Sequence, residues 1–367
     1  MFINDSLGIY IHVPFCGKKC AYCDFYSESY RKDTVSGYVG AVIRNLKSYS
    51  DKSRITDTVY FGGGTPSLLS PEQIETIIDE IKENFNLSEN PEITIEANPN
   101  TIDFNKLEKF RSAGINRLSV GVQSMVDGEL KFLGRTHTAD RAEKAVMDAY
   151  GAGFDNISCD VMIAIPEQSP DSLRYTLDRI TGLPVQHISG YILKTESGTP
   201  FDCDEIKNVL PDDDTTAELY LEMVRFLESQ GFEQYEVSNF ARKGFESRHN
   251  CRYWKCSDYI GIGPSAHSCN NGKRFAVDRD LQNFIESPVQ NITITDENPC
   301  TFEEYAMLRL RLKEGLDLDG FPEHKDDILK KIPVLVKSGY INYNGNCISL
   351  TPEGFLVSNS IIEYLIF

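Results

Sequence analysis

Between residues 7 and 198 the chain alternates short, β-branched apolar segments with helix-length amphipathic ones, and this alternation constrains the fold more than any other feature. Strands are predicted at 8–13, 58–62, 92–97, 117–122, 157–163 and 187–193. Their apolar runs suit a parallel sheet covered on both faces. Helix starts are marked, as in Ser70-Pro71-Glu72-Gln73, where an N-cap serine precedes a proline and a capping-box glutamine. Helix stops recur as Ala113-Gly114-Ile115, Ala152-Gly153-Phe154 and Gln230-Gly231-Phe232, each a glycine cap followed by an apolar residue. Successive βα units with right-handed crossovers predict an α/β fold, and a partial (β/α)6 barrel fits better than an open doubly wound sheet. In either arrangement the chemistry belongs at the carboxyl ends of the strands.

The periodicity breaks down after residue 240. Residues 241–298 read as an irregular stretch rich in Gly, His and aromatic side chains. Residues 299–367 restart with Thr301-Phe302-Glu303-Glu304 as a capping box, a hairpin around Asn344-Gly345, and Thr351-Pro352-Glu353-Gly354 opening a last helix. That order predicts a winged-helix-like domain after a barrel at 1–240. Residues 296–367 hold 7 Lys/Arg against 12 Asp/Glu, which speaks against DNA binding. The whole chain has 37 Lys/Arg against 55 Asp/Glu, a net charge of −18, and no basic patch. Such a surface repels phosphate backbones and anionic lipid, so neither nucleic acid nor stable membrane insertion is expected. No apolar run reaches the length of a bilayer span. Met1-Phe2-Ile3-Asn4-Asp5 lacks the basic and apolar regions of a signal peptide, so the expected compartment is the cytoplasm.

In a reducing compartment the ten cysteines read as metal ligands and small buried hydrophobes. Cys16, Cys20 and Cys23 form a CxxxCxxC cluster just past the first predicted strand. Soft thiolates select zinc, copper(I) or iron–sulfur clusters. A structural zinc wants four closed ligands, usually in two pairs, and His12 lies on a strand from which it is hard to bring round. Three thiols suit a four-iron cluster with one iron open to a small molecule, to which it can deliver an electron. Structural zinc and unmetallated cysteines are the alternatives.

With Tyr10-Ile11-His12-Val13-Pro14-Phe15 leading into these cysteines, the segment resembles the radical S-adenosylmethionine (SAM) superfamily. Tyr60-Phe61-Gly62-Gly63-Gly64-Thr65-Pro66 resembles that superfamily's glycine-rich SAM contact, where missing side chains let backbone approach the methionine part of SAM. Ile95-Glu96-Ala97-Asn98-Pro99, 117–124, Leu133-Gly134-Arg135 and Asp160-Val161-Met162 are similar to the porphyrin-related branch. That branch holds the oxygen-independent coproporphyrinogen III oxidases and the HemW family of heme chaperones, and the likeness covers essentially the whole chain. It implies a [4Fe-4S] cluster on Cys16, Cys20 and Cys23. It also implies SAM contacts from Tyr10, Tyr22, Gly63, Gly64, Thr65, Glu96, Gln123, Arg135 and Asp160. The carboxylates accept from an amine or ribose hydroxyls and Arg135 clamps a carboxylate; taken singly, each also fits a buried ion pair or helix cap. Ala164 stands where relatives often carry glycine, a methyl that tightens the loop without abolishing the site.

Two features separate the relatives. The oxidases carry a fourth cysteine two positions after the third and a long N-terminal arm. Here Asp24 and Phe25 follow Cys23, and fifteen residues precede Cys16. Arg248-His249-Asn250-Cys251-Arg252-Tyr253-Trp254 resembles the HNxxYW segment linked to heme in the HemW family. His249, Asn250, Tyr253 and Trp254 are therefore candidate heme contacts, the imidazole for iron and the aromatics for the porphyrin face. A purely structural loop is the competing reading. Cys251, His267 and Cys269 are secondary candidates, and His137 and His187 read as structural. The resemblance implies a heme chaperone with a cluster and SAM, no assigned catalytic residue, and as partners heme, a heme-acceptor protein and an electron donor, with a second copy of the chain as a candidate partner. The alternatives are a coproporphyrinogen III oxidase, decarboxylating propionates through a SAM-derived radical, and a radical SAM enzyme acting on another substrate.

Overall fold

Alternation along each central strand, rather than continuous apolar character, builds the core of this computed structural model, which describes residues 6–367. The segment read above for a leader lies outside them. In β1 (Ser6–Val13), Ile9, Ile11 and Val13 are fully buried and alternate with Tyr10 and His12. β2 (Asp51–Gly63) sets Val59 and Phe61 against Thr58 and Tyr60, and β3 (Phe85–Ala97) sets Ile93 and Ile95 against Thr94 and Glu96. β4 (Arg117–Gln123), β5 (Ile157–Ile163) and β6 (His187–Ile192) repeat the pattern, with Ser119, Asp160 and Tyr191 among the polar positions. Successive strand residues point to opposite faces, so each strand offers one apolar and one polar face. The apolar faces join the buried stripes of α1 (Lys32–Ser48), α2 (Pro71–Asn84), α3 (Phe104–Ala113), α4 (Ala139–Gly151), α5 (Pro170–Thr181) and α6 (Asp213–Ser229) in one core. Each fully buried Ile or Phe there contributes about 1.5–3 kcal/mol. The expectation of strands apolar on both sides is corrected: the inner face is polar because it carries the site.

The helix boundaries follow their local signals. Ser70 caps α2 in a full capping box with Gln73, and Gly114, Gly153 and Gly231 take positive φ angles of 112°, 90° and 80° after their helices. β1 to β6 are parallel and adjacent in chain order. The 12-stranded sheet is mixed and open. It has an antiparallel edge on β6 from β7 (Glu233–Gln234) and β8 (Asn239–Ala241). The fold class is α/β as expected, with a barrel that does not close.

Residues 241–298 are more regular than their sequence indicates. α7 (Arg248–Trp254) is followed by β9 (Tyr259–Ile262), which adds a further parallel strand beside β1. β10 (His267–Asn270), β11 (Lys273–Val277) and β12 (Ile292–Asp296) continue the sheet antiparallel. These strands are short and their pattern is broken by polar side chains, which hides the period. α7 sits across the amino-terminal side of the sheet. Arg248 N–H and His249 N–H donate to the two Glu92 carboxylate oxygens at 3.0 and 2.9 Å, satisfying donors that a helix start leaves free. Beside them the buried Arg252 pairs with Asp57 and donates to Thr58 Oγ1 at 3.1 Å. Gly8 makes room for it, since a Cβ there would lie 2.7 Å from Arg252 Cδ.

The C-terminal region consists of α8 (Phe302–Arg309), a strand at Leu316–Asp317, a helix at Pro322–Lys337, a hairpin of Ile341–Tyr343 with Cys347–Leu350, and two short helices. The three strands form a separate antiparallel sheet, and Gly345 supplies the positive φ (99°) of the hairpin turn.

Candidate functional site

The loop between β1 and α1 carries the three clustered cysteines, all half-buried. Glu28 N–H donates to Pro14 O at 2.7 Å and Tyr30 N–H to Cys16 O at 3.2 Å, tying the loop back on itself, while Cys23 N–H to Cys20 O (3.2 Å) closes its inner turn. Thr65 Oγ1 donates to Cys16 Sγ at 3.6 Å and Arg135 Nη1 to Cys20 Sγ at 3.5 Å. Burial pushes the Cys23 thiol up, with the neighbouring cysteines adding to it. His12 is not a fourth ligand here: its Nε2 meets Tyr26 O at 2.9 Å and its Nδ1 meets Tyr10 OH at 3.2 Å. Among the described residues no three His, Cys, Asp or Glu side chains converge on a single-ion point. A cluster that takes each thiolate on a different iron suits thiols spread along a loop, whereas a closed zinc site needs four converging ligands.

Next to this loop, at the carboxyl ends of β2 to β6, lies a cavity of about 410 Å³. Tyr22, Gly63, Gly64, Thr65, Glu96, Gln123, Arg135 and Asp160 line it, so the structure brings together eight of the nine SAM candidates. Tyr60 OH donates to Glu96 Oε1 at 2.9 Å and Gly63 N–H to Glu96 Oε2 at 3.1 Å. Ser119 Oγ donates to Asp160 Oδ1 at 3.1 Å, and Arg135 Nη2 to Gly121 O at 2.6 Å. Burial, reinforced by the charge of Asp160, raises Glu96 to about 7. Burial also raises Asp160 to about 6, against the pull of the Ser119 hydrogen bond and of Arg117. Gln123 Oε1 and Arg135 Nε are buried without partners. Two carboxyls short of positive charge, an orphaned acceptor and an orphaned guanidinium donor fit a zwitterionic ligand carrying an ammonium, a carboxylate and hydroxyls.

The glycines owe their identity first to the chain itself. A Cβ on Gly63 would lie 2.6 Å from His12 Cε1, and one on Gly64 would lie 2.6 Å from Phe15 O. Gly64 N–H and Thr65 N–H also donate to Val13 O and Phe15 O at 2.9 and 2.7 Å, stitching the glycine turn to the cysteine loop.

The ninth candidate, Tyr10, faces a second cavity of about 690 Å³, which shares Asp24, Phe25, Glu96 and Tyr191 with the first. Asn250, Tyr253 and Trp254 of α7 line it as well. His249 does not. It is fully buried, with Nδ1 2.9 Å from Thr58 Oγ1 and Nε2 2.8 Å from Tyr253 OH, and its ring stacks on Tyr60 at 5.2 Å. Burial pushes its pKa down to about 3. The motif is thus divided, with His249 packed inside as a plug and three of its neighbours presented to open space.

Cys251 lines a separate cavity, on the side facing Lys313 and Glu314. The Cys269 thiol is buried, and its neighbour Cys300 together with that burial pushes it up. His137 (Nε2 to Val122 O, 3.0 Å) and His187 (Nδ1 to Ser158 Oγ, 2.7 Å; Nε2 to Tyr235 OH, 2.8 Å) are held as structural groups, as expected. Sequence reasoning missed Tyr60, Ser119, Tyr191, Glu236 and Arg279. The period-two alternation of polar residues was the signal for the first three. Nothing in the sequence pattern marks Arg279.

Residues 10–180 match the radical SAM superfamily. Over 97% of both chains, this protein is 33% identical to the heme chaperone HemW of Escherichia coli. To the HemW of Lactococcus lactis it is 31% identical over 96% of both chains. It is 40% identical to the mitochondrial radical S-adenosyl methionine domain-containing protein 1 of Danio rerio, over 71% of this chain and 60% of that one. In fold it is similar to the coproporphyrinogen III oxidase HemN of Escherichia coli, with a TM-score of 0.81 and 23% identity over 98% of this chain and 89% of that one.

Proposed function

This chain belongs to the HemW family of heme chaperones within the radical SAM superfamily, and from that premise we propose that it carries heme to an acceptor protein while holding a [4Fe-4S] cluster and SAM. The supporting observation is that the two cavities share a wall of Asp24, Phe25, Glu96 and Tyr191. A site suited to a zwitterion beside three thiols lies against a space of about 690 Å³, within the usual range of about 300–1,000 Å³ for ligand pockets.

Cys16, Cys20 and Cys23 would hold the cluster, which would supply an open iron beside SAM and, when reduced, an electron. The chain's own residues position SAM. Glu96 accepts from its ammonium, Asp160 from ribose hydroxyls, Gln123 offers its unpartnered Oε1, and Arg135 directs its charge at the carboxylate. Tyr22 covers the smaller cavity beside Cys23, and Phe25 stands on the wall that both cavities share. In the larger space Tyr253 and Trp254 offer aromatic surface to a porphyrin face.

Conversion of coproporphyrinogen is the second reading, favoured by the fold likeness to the oxidase. Against it, no thiol follows Cys23 at the next two positions, where Asp24 and Phe25 stand. An anaerobic assay on one iron–sulfur-reconstituted sample decides between them. Half receives heme, and half receives coproporphyrinogen with SAM and a reductant. Stoichiometric heme binding without porphyrin product is expected. Protoporphyrinogen together with 5′-deoxyadenosine would replace the carrier with an oxidase.

A further inference from the structure

The reading of His249 as the iron ligand meets an obstacle in the structure, because both of its ring nitrogens are hydrogen-bonded within the fold. His12 and Tyr10 on the same cavity wall are likewise bonded to each other, and His12 also to Tyr26 O. Among the described residues, one imidazole on the wall of the 690 Å³ cavity remains without a hydrogen bond: His267, at the first residue of β10 and exposed to solvent. Close to it stands Arg279, an exposed guanidinium whose hydrogen-bond partner is the backbone oxygen of Asp24 at 3.3 Å, with its carbon 5.9 Å from the Tyr26 ring centroid. Among the described residues Arg279 has no carboxylate within ion-pair distance, whereas Arg274 nearby is taken up by Glu304.

Resting on the carrier reading above, we propose that His267 is the axial ligand of heme iron in this cavity and that Arg279 receives a heme propionate. The distribution of charge selects this orientation. Within the cavity stand the half-buried carboxyl of Glu96 and the buried one of Glu236, whose Oε2 lacks a partner. A propionate turned inward would face both. A propionate turned towards Arg279 meets an unpaired guanidinium at the rim, a charge-assisted pairing of favourable geometry. The apolar macrocycle then lies along Tyr253, Trp254 and the exposed ring of Phe25. Burial and the two neighbouring guanidinium groups hold the His267 imidazole below its ordinary range, favouring the neutral form that can donate a lone pair to iron.

The test is a heme titration of the full-length, cluster-reconstituted protein, read by absorption and resonance Raman spectra. In His267→Ala the Soret band should shift and heme should be held at least about tenfold more weakly. Added free imidazole should restore the wild-type band in His267→Gly. Arg279→Gln should weaken heme by about tenfold but leave binding of heme dimethyl ester, which has no propionate charge, equal to wild type. An unchanged Soret band and affinity in His267→Ala would overturn the ligand assignment, and equal losses for heme and its diester in Arg279→Gln would overturn the propionate site. Failure of the wild type itself to take up heme is a different result, and would instead sink the carrier reading on which this proposal stands.

Discussion

Gly63 donates its backbone N–H to Glu96 Oε2 across 3.1 Å, joining the glycine turn after β2 to the end of β3. This bond and the Tyr60 hydroxyl favour the carboxylate, yet burial and Asp160 outweigh them and leave Glu96 near 7. What the carboxylate lacks is a cation, and SAM brings an ammonium and a sulfonium.

The pH dependence follows with a definite sign. Because the folded value is raised, Glu96 contributes stability that is complete below the ordinary carboxylate range and is lost as pH climbs through about 7. Asp160 behaves alike up to about 6. A bound cation favours the ionised forms, so SAM should bind more tightly as pH rises through this window and release protons on doing so. The thermal shift given by SAM should be larger at about pH 7.5 than at about pH 5.5, and Glu96→Gln should flatten the difference. Calorimetry in two buffers of unlike ionisation enthalpy reads the protons directly. Identical proton release from wild type and Glu96→Gln would remove Glu96 from the SAM contact.

Cys20→Ser should abolish the broad cluster absorbance and SAM binding while leaving unfolding nearly unchanged. The thiol lies half-buried on a connecting loop, where a single-atom exchange costs no more than about 1 kcal/mol. Iron analysis and a denaturant titration check the two halves separately. A variant that retained its full complement of iron would show that the metal sits elsewhere.

The buried plug formed by His249 makes a prediction about stability. Removing the ring leaves a cavity against Tyr60 and strips partners from Thr58 and Tyr253. His249→Ala should therefore lose about 2–4 kcal/mol of unfolding free energy. Tyr253→Phe, which deletes one hydrogen bond, should lose about 1 kcal/mol. Should His249→Ala unfold at the wild-type denaturant concentration while heme binding disappears, direct ligation by His249 would be the better account.

How far the sequence reveals these sites depends on the scale of the signal. The cysteine spacing, the capping box at Ser70 and the glycine stops are local patterns, and each appears in the structure where it was read. Eight of nine SAM candidates line one cavity because strand ends in a parallel sheet fall on one side regardless of loop detail. Ala164 shows what a local reading misses: its φ of 60° is a left-handed conformation, so a relative's glycine there reflects backbone need more than loop space. His249 and Arg279 are matters of tertiary placement. Whether an imidazole faces a cavity or Thr58, 191 positions away, is decided by how α7 crosses the sheet, which no periodicity encodes.

Arg135 joins the two halves of the site, with one nitrogen on Gly121 O and another on Cys20 Sγ. A planar fork can hold both at once, whereas a lysine ammonium is a single point of charge on a flexible stem. Arg135→Lys should keep the iron yet bind SAM about tenfold more weakly. Arg135→Gln removes the charge as well. A cationic donor to a cluster sulfur favours the more negative reduced form, so its loss should shift the cluster midpoint to lower potential. Anaerobic redox titration followed by electron paramagnetic resonance, with and without SAM, measures both effects on one sample. An unshifted midpoint in Arg135→Gln would mean that the Arg135–Cys20 contact does not persist once the cluster is in place, leaving Arg135 with its role at Gly121 alone.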